Sequence, residues 1–145
     1  MISDESPFQH LPAVLAPKQA MYFDGIRFAI EMIDTSYRRL VDGLEAIAGE
    51  KESAAGNVPL AMLDAWAVID SANRLRVLLA QTPGLKQKTP PMHAVRRALA
   101  PSEALRNSIQ HLPGDITSHA DADTPTWGSL SGIESTRPRE AGDSS

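Results

Sequence analysis

No cysteine occurs in the 145 residues. This excludes a disulfide framework, a thiolate nucleophile and a zinc–thiolate centre, and it leaves the folding compartment open. Aromatic residues make up only 5% of the chain, too few for the stacking platforms on which single-strand binders lay successive bases. No apolar run approaches the ~20 residues of a membrane span. A Gly-rich phosphate loop, an HExxH pair and a Ser/His/Asp order are all missing as well. The net charge of -4 argues against a protein that coats nucleic acid indiscriminately. The opening MISDESPFQHLP is acidic and broken by Pro7 and Pro12, which is not the composition of a signal peptide. A cytoplasmic protein without a membrane partner is the expectation.

What is present points to helices. With 42% hydrophobic residues the chain can bury a real core as one domain. Residues 1–17 hold Pro7, Pro12 and Pro17 and read as an irregular arm, whose Phe8, Leu11, Val14 and Leu15 could pack onto the body of the domain. From about Lys18 to Gly49 there is no proline, and Ile26, Ile30, Ile33, Tyr37, Leu40, Leu44 and Ile47 step by 4, 3, 4, 3, 4 and 3. That spacing predicts one long helix with an apolar stripe, with Asp34, Arg38, Arg39, Asp42 and Glu45 on its wetter sides. Such a stripe suits a bundle core or a self-association face. A polar connection follows from Gly49 to Asn57, with Asn57 as a possible cap and Pro59 in the first turn of a second helix that runs to about Gln81. This second helix is apolar over most of its circumference and contains Trp66, so it is expected at the centre of the bundle.

Thr82-Pro83-Gly84 ends the second helix, and a third is expected to begin near Met92 with Val95, Ala98 and Leu99 at core spacing. Pro101 either kinks that helix or starts a fourth. Beyond it, Leu105, Ile109 and Leu112 would line an inner face. The expected fold is all-α, a four-to-five-helix up-and-down bundle over residues 18–113. Residues 114–145 form a polar tail rich in Ser, Thr, Gly, Asp and Pro, in which Trp127, Leu130 and Ile133 could form one short extended segment that docks on the bundle. The tail is expected to be largely disordered. The abrupt change of character after Leu130 also fits a truncated or frame-shifted end.

Charge is unevenly distributed. Residues 1–73 carry five Lys/Arg against eleven Asp/Glu, and the residues after 112 carry Arg137 and Arg139 against six acids. Between them, Arg74, Arg76, Lys86, Lys88, Arg96, Arg97 and Arg106 are opposed only by Glu103. This basic block is where a polyanion such as RNA would bind. Inside it lies ALRNSIQHLP, residues 104–113, which places Arg106, Asn107 and His111 on one short helical run. Arginine holds phosphate with a planar fork of donors, asparagine orients a neighbour, and histidine moves protons near neutral pH.

A helical bundle ending in LRNSIQHL resembles the HEPN superfamily, small helical domains of bacterial defence and toxin–antitoxin systems, RNA-processing enzymes and CRISPR effectors. Active members carry R-x(4–6)-H with a polar residue directly after the arginine, matched here by Arg106, Asn107 and His111. The resemblance implies a metal-independent endoribonuclease, without cofactor, whose site forms across a homodimer. An antitoxin or nucleotidyltransferase is a possible further partner. It also implies roles: His111 as general base or acid, Arg106 on the scissile phosphate, and Asn107 positioning Arg106 or the substrate. An unperturbed imidazole titrates near ~6.5, so either form is accessible at cellular pH.

Helix geometry sets a difficulty: positions five apart lie about 140° apart around the axis, so Arg106 and His111 do not share a face. A bent arginine or a second copy of the chain would close that gap. In the second helix Asp70, Asn73 and Arg74 form a polar patch. Asp70 is either an ordinary i,i+4 partner of Arg74 or the group that orients the Arg106 guanidinium. Arg106 could equally pair with Glu103, and His111 could simply favour a helix C-terminus. His119, Asp121 and Asp123 alternate as HADAD, most often a solvated loop rather than a cation site, so no metal ligand is assigned. The alternative function is a catalytically inactive helical homodimer or protein-interaction module using the first helix's stripe, which a charge at Ile33 or Leu40 would disrupt.

Overall fold

The computed structural model describes residues 14–49, 57–108 and 110. His111, the polar tail and most of the N-terminal arm lie outside the described residues. The fold is all-α, with no strand among the described residues. Helix α1 spans Pro17–Gly49, α2 spans Val58–Gln81 and α3 spans Pro90–Leu99. Residues 101–108 are again helical.

Local chemistry explains where these helices begin and end. Pro17 opens α1, where its missing N–H is no loss. The Ala16 amide donates to Gln19 Oε1 at 3.4 Å, while Gln19 Nε2 donates to the Pro83 carbonyl at 3.1 Å. One side chain thus caps the start of α1 and ties it to the end of α2. Asn57 occupies the N-cap position of α2 but contributes only its carbonyl, to Ala61 N at 3.0 Å, and its side chain makes no cap bond. Past the end of α2, Thr82 Oγ1 donates to the Leu78 carbonyl at 2.7 Å and Gln87 Nε2 to that of Leu79 at 2.7 Å. The Leu78 carbonyl also accepts the Thr82 backbone N–H at 2.9 Å, whereas the Leu79 carbonyl, in the last turn, gains its partner from Gln87. Gly84, at φ +78°, supplies the left-handed turn.

The third helix starts two residues earlier than its apolar spacing suggests, because Pro90 and Pro91 fit its first turn. It ends at Leu99, and Pro101 opens the next helical stretch rather than kinking the old one. Ser102 Oγ, buried, donates to the Leu99 carbonyl at 2.6 Å and fixes that corner.

Helices α1 and α2 form an antiparallel hairpin, as the partners across it show. Gln19 meets Pro83, Gly25 lies against Leu78, Arg39 reaches Asp64 and Gly43 lies against Ala61. The helices come close at small residues, Gly25 and Gly43 on α1 and Ala61 on α2. The core sits at one end, where Ile26, Ala29 and Leu75 are buried under Phe23, Ile30, Ile33, Leu78, Leu79 and Leu99.

Four packing expectations change, the first being that Val95 and Ala98, at core spacing on α3, are exposed. Tyr37 is exposed, because α3 adds cover through Leu99 only near Ile26, Ala29 and Leu75. Helix α2 touches both α1 and α3, yet it exposes Leu60 and Leu63 and buries Asp64, Ser71 and Asn73. Trp66 is half-buried. Leu105 is 50% exposed rather than on an inner face. Ser102 and Arg106, one turn apart, face inward instead, because hydrogen bonds set the rotation of residues 101–108.

Truncating Ile26, which is 1% exposed, to alanine is expected to cost about 2–5 kcal/mol in urea unfolding. Gly43→Ala should act in the opposite direction, gaining about 0.5–1 kcal/mol. The new methyl meets Ala61 Cβ at an ordinary 3.9 Å. A loss of stability in Gly43→Ala would contradict this helix pairing.

Candidate functional site

The chemistry-bearing residues converge where residues 101–108 lie along the second half of α2. Two polar bridges hold that stretch. Arg106 Nε donates to Asp70 Oδ1 at 3.0 Å, and Arg76 Nη2 lies 2.8 Å from Glu103 Oε1. As the α2 number falls from 76 to 70, its partner rises from 103 to 106, so the stretch runs antiparallel to α2. Arg76 is further anchored by donating to Asn73 Oδ1 through Nε at 3.2 Å and Nη2 at 3.1 Å.

Asp70 serves two arginines at once. Its Oδ2 accepts from Arg74 Nε at 2.6 Å while Oδ1 accepts from Arg106. The two options left open by the sequence, a helical pair with Arg74 and a hold on Arg106, are therefore both realised. The hydrogen bond from Arg74, followed by that from Arg106, holds the Asp70 carboxyl below the usual carboxylate range and outweighs the opposing effect of partial burial. The suggested Arg106–Glu103 pair does not form, since each residue reaches α2 instead.

The remaining candidates divide clearly. Asn107 is exposed and makes no hydrogen bond among the described residues, and the side chain bonded to Arg106 there is Asp70. His111 lies outside the described residues, as do His119, Asp121 and Asp123. Among the described residues, no group of three His, Asp or Glu side chains is placed to hold a metal ion. Lys86, Lys88, Arg96 and Arg97 are exposed and form no ion pair among the described residues. Arg96 and Arg97 sit in the last turn of α3, where cations complement the helix dipole. Arg74 is exposed, whereas Arg76 is largely covered and neutralised by Glu103.

Sequence reading missed the Arg76–Glu103 bridge. Glu103, as the lone acid inside a basic block, was the available signal. It also missed Asp64, buried on α2 and paired with exposed Arg39 at 3.4 Å. Comparisons with protein-family models, with curated proteins and with solved structures find no match to this chain.

The Asp70 contacts carry a pH dependence. A carboxylate whose folded pKa is depressed adds stability above its unfolded value, 3.8, and loses it as the pH falls through the lower folded value. The urea midpoints of the wild type and Asp70→Asn should therefore differ at pH 7, with the wild type the more stable. The two should converge as the pH drops below about 4. A gap of constant size down to strongly acidic pH would show that the Asp70 charge is not what matters.

Proposed function

We propose that this chain is a metal-independent endoribonuclease of a bacterial defence or toxin–antitoxin system, acting through Arg106 and His111. The observation that carries this reading is the Arg106–Asp70 bond. It engages the guanidinium through Nε and makes no bond to either terminal nitrogen. A guanidinium fixed at one edge keeps its outer donors for a phosphate, and fixing it in advance lowers the entropic cost of using it. The fold supplies the scaffold for this, and the basic block supplies attraction for the polyanion.

The reaction that these residues suit is attack of a ribose 2'-hydroxyl on the adjacent phosphorus. The new O2'–P bond forms as the P–O5' bond breaks, leaving a cyclic phosphate and a free 5'-hydroxyl. A histidine takes the 2'-hydroxyl proton and another donor protonates the departing 5'-oxygen. In a homodimer, His111 and His111 of the partner subunit supply both groups. Arg106 neutralises charge that develops on the phosphoryl oxygens. Asp70 is a positioning residue.

A second reading, a catalytically inactive homodimer or protein-interaction module, is favoured by Met21, Phe28 and Met32. These are 76%, 51% and 48% exposed and recur along one face of α1 at helical spacing. The apolar stripe around Ile33 is engaged within the chain, so an association face would use the Phe28 side instead. On this reading Phe28→Glu abolishes association, and no RNA is cut.

Cleavage of a labelled structured RNA in EDTA separates the two. The wild type is expected to leave cyclic-phosphate ends, with His111→Ala and Arg106→Ala slower by about 100-fold or more. Intact RNA, or equal cleavage by all three proteins, would eliminate the nuclease.

A further inference from the structure

We infer that Asp70 assembles Arg74 and Arg106 into a two-guanidinium fork for a single backbone phosphodiester of RNA, which makes Arg74 a second phosphate ligand. The proposal rests on the endoribonuclease reading for the identity of the polyanion, but not on catalysis itself.

The geometry is specific. Each carboxylate oxygen of Asp70 takes one arginine, in both cases through Nε, at 2.6 Å from Arg74 and 3.0 Å from Arg106. Neither guanidinium makes another bond among the described residues, so the terminal nitrogens of both remain available. The two arginines come from elements 32 residues apart in sequence, α2 and the 101–108 stretch, and meet only at this carboxylate. Arg106 is 34% and Arg74 67% exposed, so one forms the floor of the site and the other its open rim.

Charge completes the case. Two cations around one anion leave one positive charge, which a phosphodiester with one negative charge neutralises. Two guanidiniums brought together repel each other, and Asp70 offsets only half of that charge. Arg76 is the internal contrast, since Glu103 already neutralises it and Asn73 occupies its Nε and Nη2. Neighbouring arginines on one helix are thereby assigned different work: Arg74 binds ligand, whereas Arg76 holds residues 101–108 in place.

The test is equilibrium binding of a short 2'-O-methylated RNA, which cannot be cleaved, to the full chain and to variants checked for helix content. Arg74→Gln is expected to weaken binding about tenfold and to lower the salt slope by about one. Arg74→Lys should restore the slope but not the affinity, because an ammonium keeps the charge without the fork. Arg38→Gln, which removes an exposed cation of α1 paired with Asp34 and outside the fork, should bind as the wild type does. Equal binding by wild type and Arg74→Gln, or full rescue by lysine, would overturn the fork. Displacement of the RNA by inorganic phosphate at matched ionic strength would overturn the phosphodiester assignment. If His111→Ala also fails to change cleavage while binding still depends on Arg74, the nuclease reading falls and the fork stands.

Discussion

The close pairing of α1 with α2 positions the other described elements. Two long helices can lie near each other only where their facing side chains are small, and Gly25, Gly43 and Ala61 meet that condition along the length of the hairpin. The larger apolar side chains then cluster at one end, around Ile26, Ala29 and Leu75. That end contains the last turns of α2, whose carbonyls bond to Thr82 and Gln87 and so aim the chain toward α3. The hairpin also fixes which side of α2 remains for later elements, and with it the placement of Asp70, Asn73 and Arg76.

A different physics holds the C-terminal helical stretch. Leu105 points to solvent, α3 buries none of its own residues, and residues 101–108 reach α2 through Glu103 and Arg106, while Ser102 bonds back to Leu99 at the end of α3. Half-exposed ion pairs of this kind contribute on the order of 0–1 kcal/mol each. The stretch is consequently a low-stability part of the fold, of the sort from which binding elements are drawn. Its polar attachment also has a chemical consequence. An arginine held by a carboxylate is pre-oriented without being used up, whereas the same residue packed by apolar contacts alone would have no fixed direction for its donors.

The hairpin was legible because its signals are local. The proline-free stripe from Ile26 to Ile47 announces α1, and Thr82-Pro83-Gly84 closes α2 where the backbone needs a positive φ. The start of α3 was misread because Pro90 and Pro91 look like breakers, although a first helical turn accepts both. The rotation of residues 101–108 was misread because apolar periodicity was followed through Leu105, while distant polar partners set the actual face. Arg106 and Asp70 are 36 positions apart. No spacing rule brings such a pair together, so Asp70 is offered as the group orienting Arg106 only because it is a polar residue in an apolar helix, and Glu103 is marked only as the lone acid of a basic block, without its partner Arg76.

The functional account turns on whether the Asp70-bridged arginines meet a phosphate of RNA. A crystal structure of the His111→Ala protein with a short single-stranded RNA addresses that directly. The account predicts one backbone phosphate within hydrogen-bonding distance of the terminal nitrogens of both Arg74 and Arg106, with Asp70 still bridging their Nε atoms. RNA seated elsewhere on the surface, with both guanidiniums unoccupied, would contradict it.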